Sequence, residues 1–275
     1  MRTNAIQAPM HGPVTHDVVH RPGRGRGNLP CWLAMPRERD SAAEPLVAVH
    51  GILRRADDQA TLLGERAAAS GRVVVAPLFD ERRWPRYQQV VRGKRADLAL
   101  LALMADLRLA GTVATRRFEL VGYSGGAQFA HRFAMLYPHL VSRLTVVSAG
   151  WYTFPDAAPF PYGLAPRPGR TGDWGPQLAA GLEQFLRIPI TVCVGAEDTE
   201  RDDNLRGGDA IEAQQGGNRV TRATRWVAAL EAAARAHGIS PSIELVALPD
   251  CGHDFRQCVR RGGLDRIALG EHRAG

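Results

Sequence analysis

The chain has 275 residues, of which 45% are hydrophobic and 23% charged, a balance that excludes a disordered or fibrous protein. Its length suits one large domain or two small ones. Net charge is +7, from 35 basic against 28 acidic residues, so the location of the excess decides whether a polyanionic partner is implied.

Lys94 is the sole lysine and every other basic residue is arginine. Residues 1–30 carry +3 and residues 81–95 carry +5, leaving −1 for the rest. The excess lies in an N-terminal stretch and one loop, with no aromatic-basic stripe, and no nucleic-acid partner is expected. No apolar run approaches the ~20 residues that a membrane span needs. The four cysteines, Cys31, Cys193, Cys251 and Cys258, form no CxxC pair, so neither a disulfide framework nor a metal site is expected. The first 29 residues have no apolar core of a secretory signal, and the chain is read as cytoplasmic. Residues 1–16 are read as a flexible arm. Residues 17–275 are read as one domain.

In chain order, strands are predicted at 17–21, 30–35, 46–50, 73–76, 118–123, 144–148, 190–195 and 243–248. Helical patterns fall at 59–69, 95–110, 126–137, 176–186 and 220–237. The inner strands are continuous apolar runs, as in strands covered by helices on both faces. The first two strands have no helix between them and are expected to form an antiparallel hairpin at one edge. The predicted architecture is a three-layer α/β/α sandwich around a mostly parallel eight-stranded sheet. Two stretches interrupt the rhythm. Residues 150–175 are rich in Pro, Gly and aromatic residues and are read as a lid-like insertion. Residues 198–218 are polar and Gly-rich. Both follow strands and so leave the carboxyl edge of the sheet, where open α/β folds bind ligands.

The segment Gly122-Tyr123-Ser124-Gly125-Gly126 is a G-x-S-x-G lying between a predicted strand and a predicted helix. A serine on such a turn stands above the sheet, beside the positive end of a helix. A hydroxyl nucleophile needs a base, and the base needs an orienting carboxylate. Asp198, just beyond the seventh strand, is the favoured acid, with Glu197 and Asp202 as neighbouring alternatives. His253, on the loop after the eighth strand, is the candidate base. The Gly125 amide is one candidate oxyanion donor, and the Ile52 amide after His50-Gly51 is the other. His50 itself is read as a structural histidine. Tyr123, Trp151, Tyr152 and Phe154 are candidate substrate contacts. Arg82, Arg83 and Arg86 form either a solvated loop or a subsite for a substrate carboxylate or phosphate. Cys251 is read as packing.

Together, His50-Gly51, the serine turn, Asp198 and Gly252-His253 resemble the α/β-hydrolase fold superfamily over about residues 17–270. His50-Gly51 followed by Ala56-Asp57-Asp58 is similar to the polyhydroxybutyrate-depolymerase and feruloyl-esterase-like branch. The resemblance implies a serine hydrolase that needs no cofactor and cleaves a small carboxylic ester through an acyl-enzyme. An acyltransferase or lyase using the same three residues is the alternative. Oligomeric state is open.

Overall fold

The computed structural model describes residues 16–24, 29–91, 93–167, 169 and 173–273. Of the arm expected at 1–16, residues 1–15 lie outside these, while His16 already belongs to the first strand.

Among the described residues, eight strands form one sheet: β1 (His16–Arg21), β2 (Cys31–Pro36), β3 (Leu46–Val49), β4 (Val74–Pro77), β5 (Phe118–Tyr123), β6 (Val141–Val147), β7 (Ile190–Gly195) and β8 (Ile243–Leu248). Their spatial order is β1-β2-β4-β3-β5-β6-β7-β8. β1 pairs antiparallel with β2, and β2 with β4; every other pairing is parallel. The edge hairpin and the mostly parallel sheet are as the sequence predicts. Strands β3, β4, β5 and β7 are buried along their whole length. That is why they read as largely apolar runs, with Glu119 in β5 and Thr191 in β7 as the polar exceptions. The edge strands β1 and β8 alternate instead, because one of their faces meets solvent.

Nine α-helices accompany the sheet among the described residues: α1 (Ala56–Ala67), α2 (Ala96–Leu109), α3 (Gly125–Leu136), α4 (Gly175–Ala180), α5 (Leu182–Phe185), α6 (Asp209–Gln215), α7 (Arg219–Ala236), α8 (Phe255–Arg260) and α9 (Leu264–Ala268). The period-2 alternation of side chains along each strand divides the core in two. Val47, Val49, Leu120, Val146 and Val192 face a cluster with α2, α3, α4, α5 and α7. Leu46, Ala48, Val121, Val147 and Cys193 face a second cluster with α1, α8 and α9.

The structure adds detail at three places. The helix expected at 176–186 is two, α4 and α5, divided at Gly181, which packs against the Met135 carbonyl at the end of α3. The polar stretch 198–218 contains α6. The chain beyond β8 forms α8 and α9, short amphipathic turns that cover the second core.

Candidate active site

Tight backbone packing sets the serine turn. A Cβ on Gly122 would lie 2.8 Å from the Ala127 amide nitrogen, and one on Gly126 would lie 2.6 Å from the Val49 carbonyl carbon. Only glycine fits where β5, α3 and β3 meet this closely. Between them Ser124 adopts φ 53° and ψ −112°, a conformation that a residue with a Cβ rarely takes. The Ser124 N–H donates to the Val147 carbonyl at 2.8 Å, which fixes the turn to the end of β6.

The acid and base loops are tied together at the ends of β7 and β8. The Ala196 N–H donates to Leu248 O and the Glu197 N–H to Cys251 O, both at 2.9 Å. His253 then reaches both partners. Its Nδ1 lies 2.8 Å from Asp198 Oδ2, and its Nε2 lies 3.0 Å from Ser124 Oγ. An ionised carboxylate can only accept, so Nδ1 carries the proton and Nε2 is left to accept from the serine hydroxyl. The Tyr123 ring lies under the imidazole, 5.2 Å between centroids and tilted 25°. Asp254, next along the chain, caps α8 by accepting the Gln257 N–H at 2.8 Å, which holds the histidine loop from behind.

Of the three carboxylates considered, Asp198 is the one the fold brings to the histidine. Glu197 is exposed and turned outward, and Asp202 pairs with Arg219. His50 is fully buried and holds its loop: Nδ1–H donates to Gly51 O at 2.8 Å, and Nε2 accepts the Phe79 N–H at 3.0 Å. Burial brings its pKa down to about 4, so it is a neutral strut. The Ile52 amide nitrogen lies 3.5 Å from where a Gly125 Cβ would stand. Gly125 opens α3, so its N–H has no carbonyl of that helix to donate to. Ile52 lines the space in front of Ser124, while Gly125 is not among its lining residues.

That space is a cavity of about 450 Å³ that includes Ser124, His253, Ile52 and Tyr123 in its wall. Trp151, Tyr152 and Phe154 are not among its lining residues, contrary to the expected substrate contacts. They are packed inward: Tyr152 stacks on Trp226 at 4.6 Å, and Trp151 lies under the Arg132 guanidinium at 4.0 Å. Within the described part of 150–175, Trp151, Tyr152, Phe154 and Phe160 are buried, whereas Asp156, Ala157, Pro159 and Pro166 are exposed. Arg82, Arg83 and Arg86 do not line the cavity either: Arg82 and Arg86 are exposed and Arg83 pairs with Asp80, while Arg92 lies outside the described residues. The cations that line it are Arg55, Arg219 and Arg256, faced by Asp58, Asp202 and Asp254. Sequence reasoning does not find Arg219, which stands in no motif and 21 positions after Asp198. Its only local mark is a cation in the first turn of a helix, where the dipole disfavours it. Cys251 is buried, and burial pushes its thiol up, away from a thiolate.

Among the described residues no three His, Cys, Asp or Glu side chains converge as a metal site would need, and no helix is long and apolar enough to cross a membrane.

The sequence matches no protein-family model and no curated protein. Solved structures do match. Poly(aspartic acid) hydrolase-1 from Sphingomonas sp. KT-1 is similar with a TM-score of 0.76 and 24% identity, over 93% of this chain and 97% of that one. A poly(3-hydroxybutyrate) depolymerase from Bordetella parapertussis is similar with a TM-score of 0.71 and 26% identity, over 88% and 85%. An S-formylglutathione hydrolase from Agrobacterium tumefaciens is similar with a TM-score of 0.61 and 15% identity, over 98% of both chains.

Proposed function

We propose that this chain, which has the α/β-hydrolase fold, is a serine hydrolase acting on a small carboxylic ester. The observation that carries the reading is the unbroken line from Ser124 Oγ through His253 to Asp198, with contacts of 3.0 and 2.8 Å. The similar solved structures, named as hydrolases and a depolymerase, support the hydrolytic class.

In the proposed reaction, Ser124 Oγ attacks the ester carbonyl while His253 Nε2 takes its proton. The Ile52 and Gly125 amides hold the oxyanion as it forms, already oriented and with no reorganisation needed. His253 then protonates the departing alcohol, leaving an acyl-enzyme on Ser124. A water deprotonated by His253 releases the acid and restores the serine. Asp198 keeps the proton on Nδ1 and stabilises the imidazolium. Tyr123 supports the imidazole face and lines the acyl site.

Transfer to another acceptor, or lyase chemistry, uses the same residues. The charged mouth formed by Arg55, Asp58, Asp202 and Arg256 admits water to the acyl-enzyme and favours hydrolysis. Turnover of p-nitrophenyl acetate and butyrate by the wild type and by Ser124→Ala tests the proposal. Wild-type turnover that vanishes in the variant is the expected result. Equal rates in both, or none in either, would sink it. A fluorophosphonate adduct on Ser124 checks the nucleophile independently of substrate choice.

A further inference from the structure

The Asp198 carboxylate is held from two sides. Oδ2 meets His253, while Oδ1 accepts from Nη1 of Arg219 at 3.1 Å. The other terminal nitrogen of Arg219 donates to Asp202 Oδ2 at 2.7 Å. The side chains of Arg219 and Asp198 are each 2% exposed, whereas Asp202 is 40% exposed. Ser124, His253, Asp198, Arg219 and Asp202 thus form one continuous chain from the cavity to the surface.

Arg219 is an improbable residue for its position on general grounds. It is the first residue of α7, after the Asn218 cap, where the helix dipole repels a cation. Burying a guanidinium also costs hydration and side-chain freedom. Among the described residues, Asp198 and Asp202 are the carboxylates that pair with it and offset this. The planar fork of arginine can serve both at once, which an ammonium point charge does poorly.

We propose that Arg219 is a positioning residue of the relay. It locks the Asp198 carboxylate in the rotation that aims Oδ2 at His253, and it balances the Asp198 charge while His253 is neutral. The inference rests on the serine-hydrolase reading above. The physical reason is that the terminal torsion of an aspartate is broad, so one contact to a partly exposed histidine does not define it. Anchoring Oδ1 closes that rotation. Asp202 holds the far side of the guanidinium, keeping Arg219 turned toward Asp198. Without Arg219, the buried Asp198 carboxylate and the half-exposed Asp202 carboxylate are left without the cation between them. Repulsion then turns Asp198 aside, and its bond to His253 is lost.

The test combines steady-state turnover of p-nitrophenyl butyrate with the low-field proton NMR signal of the hydrogen shared by His253 and Asp198. It uses the wild type, Arg219→Met, Arg219→Lys and the double variant Arg219→Met with Asp202→Asn. In Arg219→Met, kcat is expected to fall roughly 30-fold with KM within about threefold, and the low-field signal to move or vanish. Adding Asp202→Asn removes the like charge and is expected to recover part of kcat. Arg219→Lys keeps the charge without the fork and is expected to lie between, with kcat down about fivefold and the signal shifted. A folded Arg219→Met with wild-type kcat and an unmoved signal overturns the proposal, as does a loss confined to KM. If Arg219→Met fails to fold, wild-type kcat and signal in Arg219→Lys overturn it. Failure of the underlying reading looks different: wild-type protein with neither a Ser124 fluorophosphonate adduct nor a low-field signal removes both.

Discussion

Gly122 and Gly126 touch backbone to backbone across the serine turn, so that a Cβ on Gly122 would lie 2.5 Å from the Gly126 carbonyl carbon. The obstacles are main-chain atoms of β5, α3 and β3, which cannot rotate aside as a flexible side chain would. Gly122→Ala and Gly126→Ala are therefore expected to destabilise the fold by about 3 kcal/mol or more. They should also remove activity in the fraction that still folds, by displacing Ser124. Chemical denaturation with activity per folded molecule checks this. A variant of wild-type stability would show that the turn is looser than its contacts imply.

Asp198 is expected to matter far more than its acidic neighbours. Asp198→Asn retains the shape but presents an amide donor toward His253 Nδ1, which favours the wrong tautomer. Turnover should fall by about 10³–10⁴-fold at neutral pH. Glu197→Gln, whose side chain is exposed and directed outward, should stay within about threefold. Steady-state kinetics of the pair decides between them. A large loss in Glu197→Gln alone would move the acid assignment.

Stability should decline as acid is added, through His50 and His131. Burial brings His50 down to about 4 and holds His131 well below its ordinary value, with Arg54 and Arg132 adding charge repulsion. In the unfolded chain both recover values near 6.5, as free histidines do. Below that pH the unfolded state binds more protons than the folded state, so stability rises with pH across this window. The His50 contribution is complete above about pH 6.5 and is lost as pH falls toward 4, amounting to about 3 kcal/mol well below both values. Melting temperatures between pH 7.5 and 4 should show this fall, and His50→Gln should flatten part of it. An identical acid slope in the variant would exclude His50 as its source.

Tyr152 separates a core from a lid. Its ring stacks on Trp226, and its backbone N–H and carbonyl bond to the buried Gln215 side chain at 2.9 and 3.0 Å. Tyr152→Ala should cost about 3–5 kcal/mol of stability. Its kcat/KM per folded molecule for esters of different chain length should stay unchanged, since Tyr152 does not line the cavity. A change in chain-length preference at wild-type stability would instead restore Tyr152 to the substrate site.

The parts of this molecule that were readable in the sequence are those whose cause is local. Runs such as Leu46–Val49 and Val74–Pro77 are apolar throughout because both faces are covered, and they mark the inner strands. The glycines around Ser124 follow from the turn they must make. That Ser124, Asp198 and His253 share one edge follows from loops that leave the carboxyl ends of strands, whereas their chain order is what the resemblance implies. The aromatic stretch was different. An aromatic residue after a strand has the same composition whether it shields an opening or fills a core. Only the packing of Trp151 on Arg132 and of Tyr152 on Trp226 separates these outcomes. The basic loop is a similar case, since residue order places it on an edge but not at the cavity.

The sheet, the serine turn and the chain positions from which a base and an acid can approach are legible in the residues, because periodicity and glycine sterics act over a few positions. Tertiary structure alone decided which carboxylate meets His253, which cations line the cavity, and that Arg219 grips the far oxygen of Asp198. Those pairings join residues 21 to 55 positions apart through directional bonds in a buried space. Their geometry depends on how whole elements dock, which no short pattern of residues encodes.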